Sequence, residues 1–325
     1  MGARLLVYGA TGYTGRLVAR RAVETGLDVT VGGRDAGRTR EVAGALGVEG
    51  RTFDVDDGAA VRAALTEVDV LLNVAGPFRR TARQLMDASV ETGVHYLDTT
   101  AELATFELAA ARDGAALSAG TMIMSGTGWD VVPSDSLALH TARRVADPVR
   151  LTIALRVTGG FSRGSLASSE GIEELGALVR RSGELVRLDG ATTRSFDFGD
   201  GPEDLVPAPM GDLITGARST GIEDIEVFLG TDAGFPDSTA TTAGPTDDER
   251  GQGRYRALAE VTGRDGRVAQ SLVSTPNGYT FTQLSSVEIA RRVLSGQFTP
   301  GFQSPASAYG PELATSVEDT TIVDL

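Results

Sequence analysis

The sequence predicts an α/β fold: an N-terminal Rossmann doubly wound parallel sheet, followed by an α+β domain with a largely antiparallel sheet. Three observations carry this. Strand-like and helix-like runs alternate through residues 1–130, a glycine-rich turn joins the first strand to the first helix, and beyond residue 130 the alternation gives way to paired strands.

In the first part, "LLVYGA", "DVTVGG", "RTFDV", "VDVLLNVAG", "VHYLDT" and "TMIMSGTG" read as six strands. Helical runs such as "AGRTREVAGALG" and "RTARQLMDASVETG" separate them, and continuous apolar strands of this kind belong to parallel sheets covered on both faces. After residue 130 a helix, "PSDSLALHTARRV", leads into the strand "VRLTIALRVTG". The stretch "GFSRGSLASSEGIEELGALVRRSG" reads as a serine- and glycine-rich turn opening another helix. "IEDIEVFLG", "RYRALAEVTG" and "RVAQSLVSTP" are strand-like, the last two joined by "RDG" as a hairpin. Residues 230–253 have no hydrophobic period and many turn formers, so they read as a long loop, more in the manner of a disordered insertion than of a lid. A final helix, "TFTQLSSVEIARRVLSG", precedes a tail expected to fold back on the first domain. The expected domains are 1–130 (dinucleotide-binding), 131–280 (substrate and closure) and 281–325 (C-terminal helix and tail).

The turn "GATGYTG" carries the first chemical inference. After a strand and before a helix, Gly9 permits a tight bend, Gly12 lets the backbone approach a pyrophosphate, and Gly15 lets the helix pack close to its strand. The helix N-terminus beyond it offers N–H groups to phosphate. An ordinary βα turn is the bland alternative. Ligands of such sheets bind beyond the carboxyl ends of the strands, so the residues after each strand matter. "GGRD" follows the second strand. Arg34, supported by Arg38, suits the additional phosphate of NADP where an acid would suit NAD, a solvated loop arginine being the alternative. Asp54 and Val55 after the third strand are placed to border the adenine. Ala75, Gly76 and Pro77 after the fourth fall beside the nicotinamide ribose, with Phe78 as a wall.

Composition limits the rest. The 325 residues carry a formal charge of −14, which argues against nucleic acid or an anionic membrane as partner. No apolar run reaches membrane-spanning length and no targeting segment opens the chain, so a cytoplasmic location is expected. Zero cysteines remove thiolate and disulfide chemistry, and His95 and His140 are too few and too isolated for a metal centre. All 30 basic residues are arginine, so Schiff-base chemistry and a lysine-assisted tyrosine acid are unavailable.

Candidate proton-handling residues near the strand ends are Tyr96, Asp98, Thr99 and Glu102, joined by Asp130. Asp130 is either a general acid or a loop anchor, and the proline and helix start that follow it weigh toward the anchor. Each histidine reads better as a satisfied structural residue than as a catalyst. Trp129, the only tryptophan, is either a substrate wall or a packed aromatic.

"YGATGYTG", "NVAGPF", "GVHYLDTTAE", "GTGWDVVPSD", "SRGSLAS" and "GFQSPASAYG" resemble, in this order and at these separations, the saccharopine dehydrogenase-like family, most nearly its branch of bacterial trans-acting enoyl reductases. The resemblance implies an NADP-binding Rossmann domain and a mixed domain that closes over the substrate. It places Gly9, Thr11, Gly12, Tyr13 and Thr14 on the pyrophosphate, Arg34 on the adenosine phosphate, and Gly76 and Pro77 about the nicotinamide. It also places Gly128–Asp135 at the interdomain cleft, and Ser162 and Ser165 with Trp129 on the substrate side. Val131 and Ala101 depart from the family, which often has serine and glycine there.

The expected function is therefore an NADPH-dependent oxidoreductase reducing an activated C=C (enoyl) or C=N (imine) bond of a small or carrier-bound metabolite. Ketone reduction fits less well without a strong proton donor for the developing alkoxide. The alternative is a catalytically inactive NADP-binding regulator or scaffold. No nucleic-acid partner and no membrane insertion are expected, and homodimerisation is left open.

Overall fold

The computed structural model describes residues 3–190, 193–231 and 243–325; of 169–174 it describes the backbone only. The chain divides into two compact units. One comprises residues 1–100, 104–128 and 282–303, the other 101–103, 129–281 and 304–325, so the C-terminal segment is shared between them.

The first unit is built on β1 (Arg4–Tyr8), β2 (Asp28–Gly33), β3 (Glu49–Thr52), β4 (Val70–Asn73), β5 (His95–Asp98) and β6 (Met122–Met124). Between them run α1 (Tyr13–Glu24), α2 (Ala36–Leu46), α3 (Gly58–Ala64), α4 (Ala82–Thr92), α5 (Leu103–Ala110) and α6 (Asp113–Ala119). The second unit holds α7 (Val132–Ala142), β7 (Pro148–Val157), α8 (Arg163–Leu175), β8 (Leu178–Arg181), β9 (Glu184–Arg187), β10 (Arg194–Asp197) and β11 (Pro202–Pro207). It continues with α9 (Asp212–Thr220), β12 (Asp224–Thr231), α10 (Asp247–Gln252), β13 (Arg254–Gly263) and β14 (Val268–Pro276). The shared C-terminal segment adds α11 (Gly278–Leu294), β15 (Gly301–Phe302), α12 (Pro305–Tyr309), α13 (Glu312–Thr315) and β16 (Thr321–Asp324).

The first sheet runs β15-β6-β5-β4-β1-β2-β3 and is parallel throughout. Its central strands are apolar because both faces are covered: Leu5, Leu6 and Val7 of β1 and Val70, Leu71 and Leu72 of β4 are all 0% exposed. Strand order reverses between β1 and β4, the switch point at which a doubly wound sheet opens a crevice at its carboxyl edge. β3 is shorter than "RTFDV" predicts and ends at Thr52. Asp54 there accepts the Asp56 N–H at 3.1 Å, and such a side-chain turn competes with the sheet ladder. The seventh strand, β15, comes from the tail expected to fold back, and Gly301 and Phe302 pair with Met122 and Ile123.

The second sheet runs β10-β11-β12-β7-β13-β14-β16, with β8 on β12 and β9 on β8. It is antiparallel except for β7 against β12. Phe196, Phe198, Leu205 and Phe228 gather on one cluster with Ala154 and Leu258, and α7 packs on β13 and β14. "RDG" joins β13 and β14 as a hairpin.

Two predicted readings need correction. "ALVRRSGELVR" does not continue the helix but forms the β8–β9 hairpin, its turn at Ser182 and Gly183 with φ of 46° and 83°. The 230–253 stretch is not wholly loop. Thr231 ends β12, and α10 starts on a capping box in which Thr246 and Glu249 exchange hydrogen bonds. Residues 232–242 of that stretch lie outside the described residues.

Candidate functional site

The glycine turn separates three reasons for having no side chain. Gly9 has φ of 89°, and a Cβ there would lie 2.8 Å from the Ala75 nitrogen, so the β1 turn and the loop after β4 are in backbone contact. At Gly15 a Cβ would collide with the Gly9 carbonyl oxygen and come within 2.8 Å of the Ala10 Cα, which is the close helix–strand approach expected. Gly12 is different. Its φ of −77° and ψ of 172° suit any residue, it is exposed, and a Cβ would meet only the Gly9 oxygen, at 3.4 Å. Neither backbone nor packing requires glycine at position 12, whereas a pyrophosphate lying against the turn would. Gly12 is also the N-cap of α1, with no side chain capping the helix, and Tyr13 and Thr14 open its first turn. Thr11, Tyr13 and Thr14 are each half-buried.

Arg34 and Arg38 are exposed after β2, and Asp35 caps α2 by accepting the Arg38 N–H at 2.9 Å. Burial pushes the Tyr8 phenol up to about 12; the charge of Asp54 adds to this and that of Arg34 opposes it. Arg34 and Asp54 therefore share the end of β1 with Tyr8, whose ring rests on Phe53 with centroids 4.8 Å apart. Asp54 is exposed and Val55 is buried, 8% exposed.

Beyond β4, Ala75 and Pro77 are half-buried and Gly76 is exposed. Phe78 does not form the predicted wall: at 5% exposure its ring is committed to the core. Sequence reading missed Asn73. Fully buried, it accepts the Ala75 N–H at 3.0 Å and donates to the Tyr96 hydroxyl and the Thr81 Oγ1, both at 3.1 Å. An amide ending an otherwise apolar strand was the available signal.

Tyr96 and Asp98 are each 0% exposed. Asp98 accepts from the Thr100 N–H at 3.0 Å, the Gly126 N–H at 3.1 Å and Ser125 Oγ at 2.9 Å, and Tyr96 is a further donor. Burial pushes this carboxyl up to about 6 against those four hydrogen bonds. The Asp98 carbonyl also accepts the Thr127 N–H and Oγ1, and Ser285 of α11 donates to the Thr127 carbonyl at 2.8 Å. These groups tie the ends of β5 and β6 together, and their burial closes Tyr96 and Asp98 off from solvent. Thr99 beside them is half-buried. His95 accepts the Met122 N–H at Nδ1 (3.0 Å) and stacks near Phe298, and burial lowers its pKa, so it is a neutral structural imidazole.

In the second unit, Glu102 is 6% exposed and accepts from Ser168 Oγ at 2.9 Å. Trp129, 2% exposed, donates to Thr275 Oγ1 at 2.8 Å and meets Tyr255 edge-on, so it packs as a core aromatic and presents no wall to a substrate. Asp130 is half-buried, and burial raises its carboxyl to about 6, opposed only by its own backbone N–H. Among the described residues its only bond is that one, from its own backbone. The loop anchor is instead Asp135, which accepts from Ser219 Oγ at 2.6 Å, the Ala306 N–H at 2.7 Å and Ser304. Ser162 caps α8, its Oγ 3.1 Å from Ser165 Oγ, and both residues bond the Tyr279 hydroxyl, at 2.7 Å from the Ser162 nitrogen and 2.8 Å from the Ser165 oxygen. His140 bonds Asp324 at 2.8 Å. Among the described residues no group of three His, Cys, Asp or Glu can hold a metal, and no helix is long and apolar enough to cross a membrane.

Residues 5–124 match the family described as "Saccharopine dehydrogenase NADP binding domain". A provisionally named trans-acting enoyl reductase of Mycobacterium tuberculosis is 30% identical over 184 residues, covering 50% of this chain and 42% of its own length. A lipid droplet localized protein of Caenorhabditis elegans is 30% identical over 145 residues, covering 40% of this chain and 34% of its own. These alignments span less than half the length of the curated relatives they match. A saccharopine dehydrogenase (L-Glu forming) of Saccharomyces cerevisiae has the same fold, at TM-score 0.69 and 14% identity with both chains covered in full. The glycine turn, open at position 12, thus lies inside the residues that match a saccharopine dehydrogenase NADP binding domain, and that match makes NADP(H) its cofactor.

Proposed function

We propose that this protein is an NADPH-dependent oxidoreductase that reduces an activated C=C or C=N bond of a small or carrier-bound metabolite. The observation that carries the cofactor half of the reading is Gly12, whose missing side chain serves no purpose inside the protein. The Gly9–Gly15 turn with Thr11, Tyr13 and Thr14 would hold the pyrophosphate, Arg34 with Arg38 the adenosine phosphate, Asp54 and Val55 the adenine border, and Ala75, Gly76 and Pro77 the nicotinamide ribose.

When bound, NADPH supplies a hydride. The chain's own residues position it and handle the proton. Tyr96 and Asp98 support the strand ends; their burial closes them off from solvent. Of the candidate acids, Asp130 combines partial exposure with a carboxyl raised to about 6, and it is the residue assigned to deliver a proton to the reduced bond. A site with one modest acid suits an iminium, which needs no new proton at carbon, or an activated alkene, whose second position can also draw on water. Ser162, Ser165 and Tyr279 form a hydroxyl cluster suited to a polar substrate group, and Glu102 is a positioning residue held by Ser168.

The test is NADPH oxidation by the full chain with enoyl thioesters, enones and cyclic imines. Turnover with one class supports the reading and names the bond. Tight NADPH binding with no turnover on any of them, together with a partner recovered by pull-down, would replace it with a cofactor-binding regulator.

A further inference from the structure

We propose that Asn73 and Thr81 are positioning residues that hold the loop at residues 74–77 in the shape that receives the nicotinamide half of the dinucleotide. The inference rests on the reading that NADPH lies along the glycine turn.

A fourth apolar residue would complete β4, because Val70, Leu71 and Leu72 are all 0% exposed and apolar. A buried amide at this point is unfavourable unless its bonding groups are met. Asn73 meets them through the loop. Its Oδ1 takes the N–H of Ala75 at 3.0 Å, and Thr81 Oγ1, which accepts from Asn73 Nδ2, donates to the Ala75 carbonyl at 2.9 Å. Both backbone groups of Ala75 are therefore held by side chains. The second Asn73 donor goes to Tyr96, the residue that also bonds Asp98, so the clamp is continuous with the buried tie between β5 and β6. On its other sides the loop is set by the Val74 N–H on the Tyr8 carbonyl at 2.8 Å and by the backbone contact of Ala75 with Gly9. Gly76 remains exposed directly beyond the clamped residue. A loop fixed through both backbone groups of one residue, against the turn where the pyrophosphate is placed, is preorganised for a ligand.

The test compares NADPH with adenosine 2′,5′-bisphosphate, which carries the adenosine half and neither the nicotinamide nor its ribose, by titration calorimetry on the full chain. Thr81→Val removes the hydroxyl that bridges Asn73 and Ala75. NADPH affinity is expected to fall by about tenfold while adenosine 2′,5′-bisphosphate affinity holds, the melting temperature dropping by a few degrees with the two lost bonds, and Thr81→Ser restoring both NADPH binding and melting temperature. Tyr96→Phe, which frees one end of the Asn73 amide without emptying the site, is expected to move NADPH affinity in the same direction by a smaller factor. Equal loss for both ligands, or no loss for either, would overturn the proposal and show the clamp to be structural. An unaltered chain that binds neither ligand would overturn the cofactor reading, and the proposal with it.

Discussion

Exchanging glycine for alanine at two positions of one turn separates a ligand-driven glycine from a packing-driven one. At Gly12 the new Cβ sits 3.4 Å from the Gly9 oxygen, an ordinary contact, on a backbone any residue adopts. Replacing glycine lowers unfolded-state entropy by about 0.4–1 kcal/mol, and alanine is a poorer N-cap by a similar amount, so net stability should move by less than about 1 kcal/mol. At Gly15 the Cβ runs into the Gly9 carbonyl oxygen and the Ala10 Cα, backbone atoms that cannot rotate aside. Helix propensity favours alanine there by about 1 kcal/mol, but overpacking against fixed backbone costs about 1–3 kcal/mol or more, and overpacking wins. Thermal melting reads both, at about 2–4 °C per kcal/mol for a unit of this size. Gly12→Ala should melt with the unaltered protein, and Gly15→Ala several degrees below it. NADPH titration then shows the inverse order: Gly12→Val should abolish binding in a folded protein. If Gly12→Val binds NADPH normally, the turn is structural only; if Gly15→Ala melts unchanged, the packing argument is wrong.

Three further outcomes follow from charge and burial. Arg34→Ala should weaken NADPH binding by roughly 10–100-fold and leave NADH binding nearly unchanged, because a charge-assisted bond to phosphate is lost; equal affinity of the unaltered chain for both cofactors would remove that assignment. Asp130→Asn should lower turnover by roughly 10²–10⁴ while melting temperature and NADPH affinity hold, since the carboxylate secures no loop; a parallel loss of stability and activity would make it an anchor after all. Asp212 is 0% exposed and accepts from Ser134 Oγ and its own backbone N–H, and burial, with repulsion from Asp135 and Asp130, raises its carboxyl to about 8. An acid whose pKa is raised on folding stabilises below its unfolded value and loses that contribution as pH rises through the folded one. Asp212's own contribution should therefore fall from pH 4 toward pH 8 by up to about 1.4 kcal/mol per pH unit, and above about pH 7, a unit past the folded values of Asp98, Asp130 and Asp135, Asp212 alone of the four sustains the fall. Melting curves at pH 7 and 8 should converge in Asp212→Asn, and equal shifts in variant and parent would contradict this.

The sequence by itself determined the Rossmann sheet and its glycine turn. Both are written locally: an apolar run buried on two faces needs no partner to be recognised, and Gly9, Gly12 and Gly15 stand within seven residues of the strand they follow. It also determined the β13–β14 hairpin, whose turn lies between its strands. Where a residue's role depended on something distant in the chain, only the tertiary structure decided it. Phe78 and Trp129 look like binding aromatics in sequence, and burial makes them core. Sequence reading offers Asp130 as the anchor within "DVVPSD", whereas the partners Ser219 and Ala306, far along the chain, give that role to Asp135. Tyr96 and Asp98 sit on β5 and Asn73 on β4, and the bond that joins them exists only once the parallel register sets β4 beside β5. Tertiary context decides such cases because a polar side chain's chemistry follows from its solvation and its bonding partners. Both are set by whichever segments fold against it, and neither by the residues beside it in the chain.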